Sequence, residues 1–387
     1  MTCQTNSNLF SEVIELISGE GISGMGKVFE LLLNEAMLIE RNKHLQAETY
    51  ERTPLRQGYA NGFKDKTINS RVGKIKVQVP QVRDCDFYPS ALERGVRSEK
   101  ALKLAIAEMY VNGLSTRKVS AVVEELCGCE VSSAEVSRCS KLLDEELESW
   151  RNRPIGSYRY VYLDARYEKV RQNGSVLSAA VLVALGVTHE GKREVLGVSI
   201  KVSEQEAHWR SFLQSLQARG LHGVELFISD AHTGLKAASR AVFPSIPWQR
   251  CQFHLQQNAQ SYVPKKAMKT DVAFDIRSVF NAPNLDEAKR MQDLIVRKYT
   301  EIAPNLAKWM DENLSEGFTV FNFPRDHWRR LRTNNVLERV NREIARRTKI
   351  ACIFANEASC ERLVTAVLVE ISDEWQTSSV YLSMDKN

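Results

Sequence analysis

A mixed α/β fold is what this 387-residue chain predicts, and three observations predict it. Three apolar segments, "YRYVYLDARYEKV", "VLSAAVLVALGVT" and "REVLGVSIKV", follow one another with Asn173-Gly174 and Glu190-Gly191 as turn signals between them. Two further short apolar runs, "VELFISD" and "IPWQRC", are each preceded by a helical pattern, Glu204 to Arg219 and "HTGLKAASRAVF". The rest of the chain has helical periodicity, apart from one basic alternating segment.

The resulting order, β-β-β-α-β-α-β, puts three antiparallel strands first and then parallel strands reached through helices, the order of a ribonuclease-H-like sheet. Around it the elements fall as follows. Residues 1–50 are a helical region with Val13, Leu16, Ile17, Phe29, Leu33 and Met37 on its apolar face, split by glycines between Gly19 and Gly26. Residues 51–97 carry a short basic β-hairpin. Val72, Ile75, Val77 and Val79 alternate around Gly73, Pro80 ends the run, and Arg56, Lys64, Lys66, Arg71, Lys74 and Lys76 give the charge. In residues 98–150 Ser115 caps a helix with Val119, Val122 and Val123 inside, Gly128 stops it, and Ser132 or Ser133 caps the next. That is a helix-turn-helix pattern, one that many helical hairpins share. Its candidate DNA contacts are Arg117, Lys118, Ser133 and Arg138. Residues 151–255 and 329–375 make the sheet and its closing helices, and 256–328 form an all-α stretch between them with loops near Pro283 and Pro304. A helix from about Val336 to Arg347 and another near Leu363 to Trp375 close the core.

A net charge of only +5 permits a nucleic-acid partner without demanding one. The distribution is more informative. Between Arg325 and Lys349 basic residues dominate, Arg332 and Arg347 among them, and Arg339, Arg342 and Arg346 recur at helical spacing as one stripe suited to a polyanion. The longest apolar run, Val176 to Val187, is too short for a bilayer and is broken by Ser178, so no membrane role is expected. Scattered cysteines and a start without a basic or apolar leader point to reduced thiols in the cytoplasm.

The chemistry is carried by acids. Asp164 lies mid-strand among apolar residues, where burial of a carboxylate demands a partner, and Asp230 ends the strand "VELFISD". Adjacent first and fourth strands would bring the two together as oxygen ligands for Mg²⁺. Two alternatives stay open on these residues alone: Asp164 pairs with Arg166 or Arg159, and Asp230 caps the following helix. Glu338, in "RTNNVLERVNREIARRT", is the third acid, or else the N3 member of a capping box begun by Asn335. Cys251 and His254 have zinc-like spacing, but no second Cys/His pair lies near and Cys127 and Cys129 sit in another region, so they read as a corner beside the acids.

The segments "YVYLDARYEKVR", "FISDAHTGLKAA", "WQRCQFHLQQN" and "RTNNVLERVNREIARRTKIACIFANEASCERLV" resemble, in order, the signature blocks of the Mutator-like family of bacterial insertion-sequence transposases. "NGFKDKTINSRVGKIKVQVPQVRD" and "MYVNGLSTRKVSAVVEELCG" extend the resemblance upstream. It implies a DDE transposase that cuts and joins double-stranded DNA at the terminal inverted repeats of its element and at a target, with 151–255 and 329–375 as a ribonuclease-H-like catalytic core and 256–328 as its helical insertion. Asp164, Asp230 and Glu338 match the catalytic acids and would bind two Mg²⁺ or Mn²⁺; Cys251 and His254 match the family's Cys-x-x-His motif. A homodimer or higher oligomer in the bacterial, nucleoid-associated cytoplasm follows from that task. The chain departs from the pattern at Asn334, Val336 and Ala355. A non-catalytic DNA-binding relative is the alternative, and a nuclease acting on RNA hybrids the more distant one.

Overall fold

The computed structural model describes residues 4–48, 50–92, 94, 98–201 and 205–384. Glu204, the expected start of a helix, lies outside them. The chain divides between Leu143 and Asp144 into two units.

In the first unit, helices α1 (Gln4–Glu20) and α2 (Met25–Leu45) flank a 3-10 turn at Gly21–Gly24, where the glycine cluster breaks the helical run. Strands β1 (Tyr59–Ser70) and β2 (Gly73–Arg83) form an antiparallel hairpin. Ile75, Val77 and Val79 are buried with Met37 of α2. The outer edge of β2 is covered by that helix: Glu30 accepts from the Lys76 N–H at 3.2 Å and Asn34 from the Gln78 N–H at 2.8 Å. Such edge groups, left bare, invite pairing with other chains. The hairpin corrects the expectation that Pro80 ends it. Pro80 pairs with Phe63 beside a register shift, where a residue lacking an N–H is tolerated, and the strand continues to Arg83. Val72 lies in the turn instead of the strand.

Helices α3 (Lys100–Val111), α4 (Thr116–Cys127) and α5 (Ser133–Cys139) complete this unit. The Ser115 hydroxyl accepts from the Lys118 N–H and the Ser132 hydroxyl from the Glu135 N–H. Gly128 ends α4 in the left-handed conformation at φ 59°, which costs glycine nothing.

The second unit starts with α6 (Asp144–Asn152), and its sheet holds β3 (Tyr160–Gln172), β4 (Ser175–Val187), β5 (Arg193–Lys201), β6 (Leu226–Ser229) and β7 (Trp248–Arg250) in the order β5-β4-β3-β6-β7. The first three pair antiparallel, while β6 runs parallel to β3 and β7 parallel to β6. Asn173 and Gly174, at φ 49° and 80°, make the tight β3–β4 turn that positive angles at both positions favour. Helices α7 (Glu206–Ala218) and α8 (Thr233–Val242) cover one face through Trp209, Leu213 and Leu235. The other face packs against α13 (Arg325–Leu331), α14 (Asn335–Ala351) and α15 (Glu357–Thr377). Covered on both sides, β4 is buried continuously from Ala179 to Val187. Each such Val or Leu contributes about 1.5–3 kcal/mol. Tyr160 and Tyr162 satisfy their buried hydroxyls on the α13 side, at His327 Nδ1 (2.7 Å) and the Arg330 carbonyl (3.1 Å).

Between β7 and α13 come α9 (Gln252–Ala259), α10 (Lys269–Phe280), α11 (Leu285–Thr300) and α12 (Pro304–Asn313), with a core of their own around Leu255, Ile276, Leu306 and Met310. Two buried glutamines fasten its end to the sheet: Gln249 and Gln252 both donate to the Gly317 carbonyl, at 2.9 and 2.8 Å. No helix among the described residues is long and apolar enough to cross a membrane.

Candidate active site

Strand parity places the first two acids. Tyr160 and Tyr162 face the α13–α15 layer, whereas Val161 and Leu163 face α7 and α8. Asp164, one step beyond Leu163, therefore faces α14. The parallel ladder pairs Tyr162 with Ile228, so Asp164 and Asp230 are each two residues past matched positions and share that face. Glu338 enters from α14, in its first turn.

Asp164 is held twice. Its Oδ1 accepts from the Ala165 N–H at 2.9 Å, and its Oδ2 from Asn341 Nδ2 at 2.8 Å. Burial pushes its carboxyl up to about 7; the Ala165 N–H and His254 oppose this, and Asp230 and Glu338 add to it as like charges. Asp230 accepts from the Ala231 N–H at 2.7 Å. Glu338 differs, because its Oε1 is buried and has no hydrogen-bond partner. The nearest cation, His254 Nε2, is 3.9 Å away, too far for one.

The alternatives left open for these acids do not occur. Arg166 pairs with Glu168 at 2.6 Å and Arg159 with Glu225 at 2.9 Å. His232, not Asp230, is the residue preceding α8, and it makes no capping bond. Asn334 instead of Asn335 stands at the cap of α14, also without a capping bond.

Cys251 and His254 lie between the end of β7 and the start of α14. The buried Cys251 sulfur accepts from the Asn334 N–H at 3.4 Å, and the Gln252 N–H donates to the Arg332 carbonyl at 2.8 Å. Asn334 Nδ2 in turn reaches the Leu163 carbonyl at 3.2 Å. One buried cluster thus fixes the start of α14, and with it Glu338, against β3 and β7. The Cys251 sulfur is the main influence raising His254 to about 9, against burial and with help from Asp230 and Asp164. It acts from short of good hydrogen-bond geometry, since His254 Nδ1 has no partner.

A divalent cation suits this set. An orphaned carboxylate oxygen on Glu338 and a buried, mutually repelling Asp164 both lack positive charge. Among the described residues no three His, Cys, Asp or Glu side chains are already gathered around one metal-sized point, so the acids would draw together on binding.

The candidate DNA contacts divide. Arg117, Lys118, Ser133 and Arg138 are exposed in the first unit. In the second, Arg339, Arg342 and Arg346 project from one side of α14 into solvent, and Arg346 bonds Glu343 at 2.6 Å. Arg332 is partly buried and donates to Asn281 at 2.9 Å. Arg347 does not belong with them. It is 6% exposed and committed to Glu343 and Glu370, because one residue beyond Arg346 turns the side chain toward α15. Sequence reasoning missed Asn341. Its signal was its place three residues after Glu338, which on a helix means the same face.

Comparison with known proteins gives a consistent match. The sequence profile described as "Transposase, Mutator family" spans residues 2–378. The chain is 50% identical to the transposase for insertion sequence element IS406 of Burkholderia multivorans, over 100% of both chains. It is 40% identical to that for ISRM5 of Rhizobium meliloti, covering 99% of this chain and 96% of the relative. With that for IS256 in transposon Tn4001 of Staphylococcus aureus it shares 39%, over 93% of each. A simian T-cell lymphotropic virus intasome structure, bound to a PP2A regulatory subunit, matches over 53% of this chain and 66% of its own, at 10% identity and a TM-score of 0.19. A score that low carries no argument.

Proposed function

The chain belongs to the Mutator family of transposases, and on that premise we propose that it is a DDE enzyme with a ribonuclease-H-like core, cutting the ends of its own element and joining them to target DNA. The observation that supports the proposal is that Asp164 within β3 and Asp230 just past β6 share one face of the sheet, that Asp164 feels both Asp230 and Glu338 as like charges, and that the buried Glu338 Oε1 has no hydrogen-bond partner.

Asp164, Asp230 and Glu338 would hold two Mg²⁺ or Mn²⁺. When bound, such ions activate the attacking oxygen and stabilise the leaving one in phosphoryl transfer. In cleavage water replaces the 3′ oxygen on phosphorus; in joining, the freed 3′-hydroxyl replaces an oxygen of the target strand. The protein's part is positioning. Ala165 and Asn341 orient Asp164, the Cys251–Asn334 cluster sets the height of Glu338, and His254, 3.9 Å from Glu338, would offer a ring N–H to a phosphate.

End recognition is assigned to the first unit. There the α4–α5 pair would act as a helix-turn-helix, with Arg117, Lys118 and Arg138 on phosphates and Ser133 at the start of the second helix near base edges. Arg339, Arg342 and Arg346 would run along DNA beside the acids. Synapsis of two ends calls for at least a dimer. The test is Mg²⁺-dependent cleavage and strand transfer on DNA ending in the inverted repeats that flank the gene. Wild-type protein cleaves and Asp164→Asn binds ends without cutting. Full strand transfer by Asp164→Asn would overturn the assignment, and end binding without cleavage by wild type would leave a non-catalytic relative.

A further inference from the structure

Next to the acids, α9, α10, α13 and the start of α14 enclose a groove of about 570 Å³. Arg277, Arg325, Arg329, Arg330 and Arg332 line it, together with Phe253. Among the described residues none of the five arginines is ion-paired with a carboxylate. Five guanidinium groups around a recess with no acid among them repel one another, and an anion is what relieves them. Arg332 shows the tension most clearly. Its Nε is buried without a hydrogen-bond partner, while its Nη1 is used on Asn281. Burial and the nearby Arg325 hold its pKa below the usual arginine value.

Phe253 adds a second kind of recognition. It is a large aromatic left 50% exposed, and its ring meets the His254 ring edge-on at 5.6 Å. His254 is the residue 3.9 Å from Glu338, so the aromatic platform adjoins the acid cluster and shares its groove with the arginines. In a duplex the base faces are stacked on one another and unavailable. An exposed phenylalanine beside a recess of this size, within the range of ligand pockets, offers a face to an unpaired base, and arginines that follow it suit a phosphodiester backbone.

We propose that this groove holds a single strand of DNA at the cleavage point, with phosphates on Arg325, Arg329 and Arg332 and one unstacked base on Phe253. The proposal rests on the acid cluster being the cleavage site and adds that the strand there is unpaired.

The test uses the full chain and two labelled probes, an oligothymidylate of about twelve nucleotides, a length single-strand grooves cover, and a random-sequence duplex of equal length. Phe253→Ala should weaken oligothymidylate binding about tenfold and duplex binding less than about twofold, with Phe253→Tyr restoring it. Arg325→Glu with Arg329→Glu should weaken oligothymidylate further and flatten its salt dependence. All these positions are exposed, so melting temperatures should stay at the wild-type value. Equal losses on both probes, or no loss on oligothymidylate, would overturn the proposal. Wild-type cleavage of repeat-ended DNA separates the two ideas. Cleavage without a Phe253-dependent preference sinks the groove alone, and a Phe253-dependent preference without cleavage sinks the acid-cluster reading alone.

Discussion

The sheet side and the helix side of the acid cluster are built differently. Asp164 accepts two hydrogen bonds and Asp230 one from the backbone following it. Glu338, on α14, has a buried oxygen that meets nothing within hydrogen-bond range. The aspartates are thus oriented before any ligand arrives, at the cost of repulsion and burial, while the glutamate is positioned only through its helix. One side of the site is preorganised and the other waits for charge.

Removing the charge on each side should separate these roles. Asp164→Asn should lower cleavage about a thousandfold or more, the size of effect expected for losing a metal-ion contact worth several kcal/mol. Its stability should move the other way. The Asp164 carboxyl is raised from 3.8 to about 7 in the fold, so its ionised form opposes folding. That penalty is absent below 3.8, grows through the window up to about 7 and is complete above it. Asp164→Asn should therefore be more stable than wild type by about 1–3 kcal/mol at pH 8, with the difference vanishing near pH 4. The Asn341 amide can turn its unsatisfied oxygen toward the new amide. Glu338→Gln should match the loss of activity. Thermal unfolding of Asp164→Asn and wild type at pH 4 and 8 checks the stability effect; an equal difference at both pH values would overturn it.

The next largest effect concerns the link between the sides. Asn341 is on α14 but bonds Asp164 on β3. Asn341→Ala should lower cleavage about 10- to 100-fold, as loss of a partner that orients a metal ligand does. The Mg²⁺ concentration needed for half-maximal cleavage should rise with it, a change that simple destabilisation would not produce. Cys251→Ala reaches the same helix from the β7 side. It removes the acceptor of the buried Asn334 N–H and should cost about 1–3 kcal/mol. Its effect on cleavage should be smaller than that of Asn341→Ala, because no acid loses a direct partner.

What could be read in the sequence follows the range of the interactions. The sheet was legible because apolar runs and the Asn173-Gly174 turn are local signals. Asp164 and Asp230 stood out because a carboxylate in an apolar strand is conspicuous by itself. The extent of the hairpin was not legible, since Pro80 reads as a terminator unless the register shift opposite it is known. The role of Asn341 was hidden for a related reason. Its partner is distant in the chain, so its place three residues after Glu338 marks the helix face it shares but not the acid it will meet. Arg347 failed on angle, because basic residues next to each other on a helix differ by about 100° and only packing decides which one faces inward.

That last pair gives the smallest test of how α14 divides its charges. Arg347, buried between Glu343 and Glu370, should behave as structure: Arg347→Ala leaves Glu370 without its partner and Glu343 with Arg346 alone, and should cost about 1–3 kcal/mol, both acids being partly exposed. Arg346, in solvent, should behave as surface. Arg346→Ala should leave the melting temperature where it is and lower the slope of log affinity for duplex DNA against log salt by about 1, the loss of one phosphate contact. Glu343 would then be freed from Arg346 but still held by Arg347, so the helix keeps its contact with α15. A salt slope unchanged by Arg346→Ala, with Arg339→Ala behaving alike, would mean that the exposed stripe of α14 is a solvated face and that DNA approaches the acids from another side.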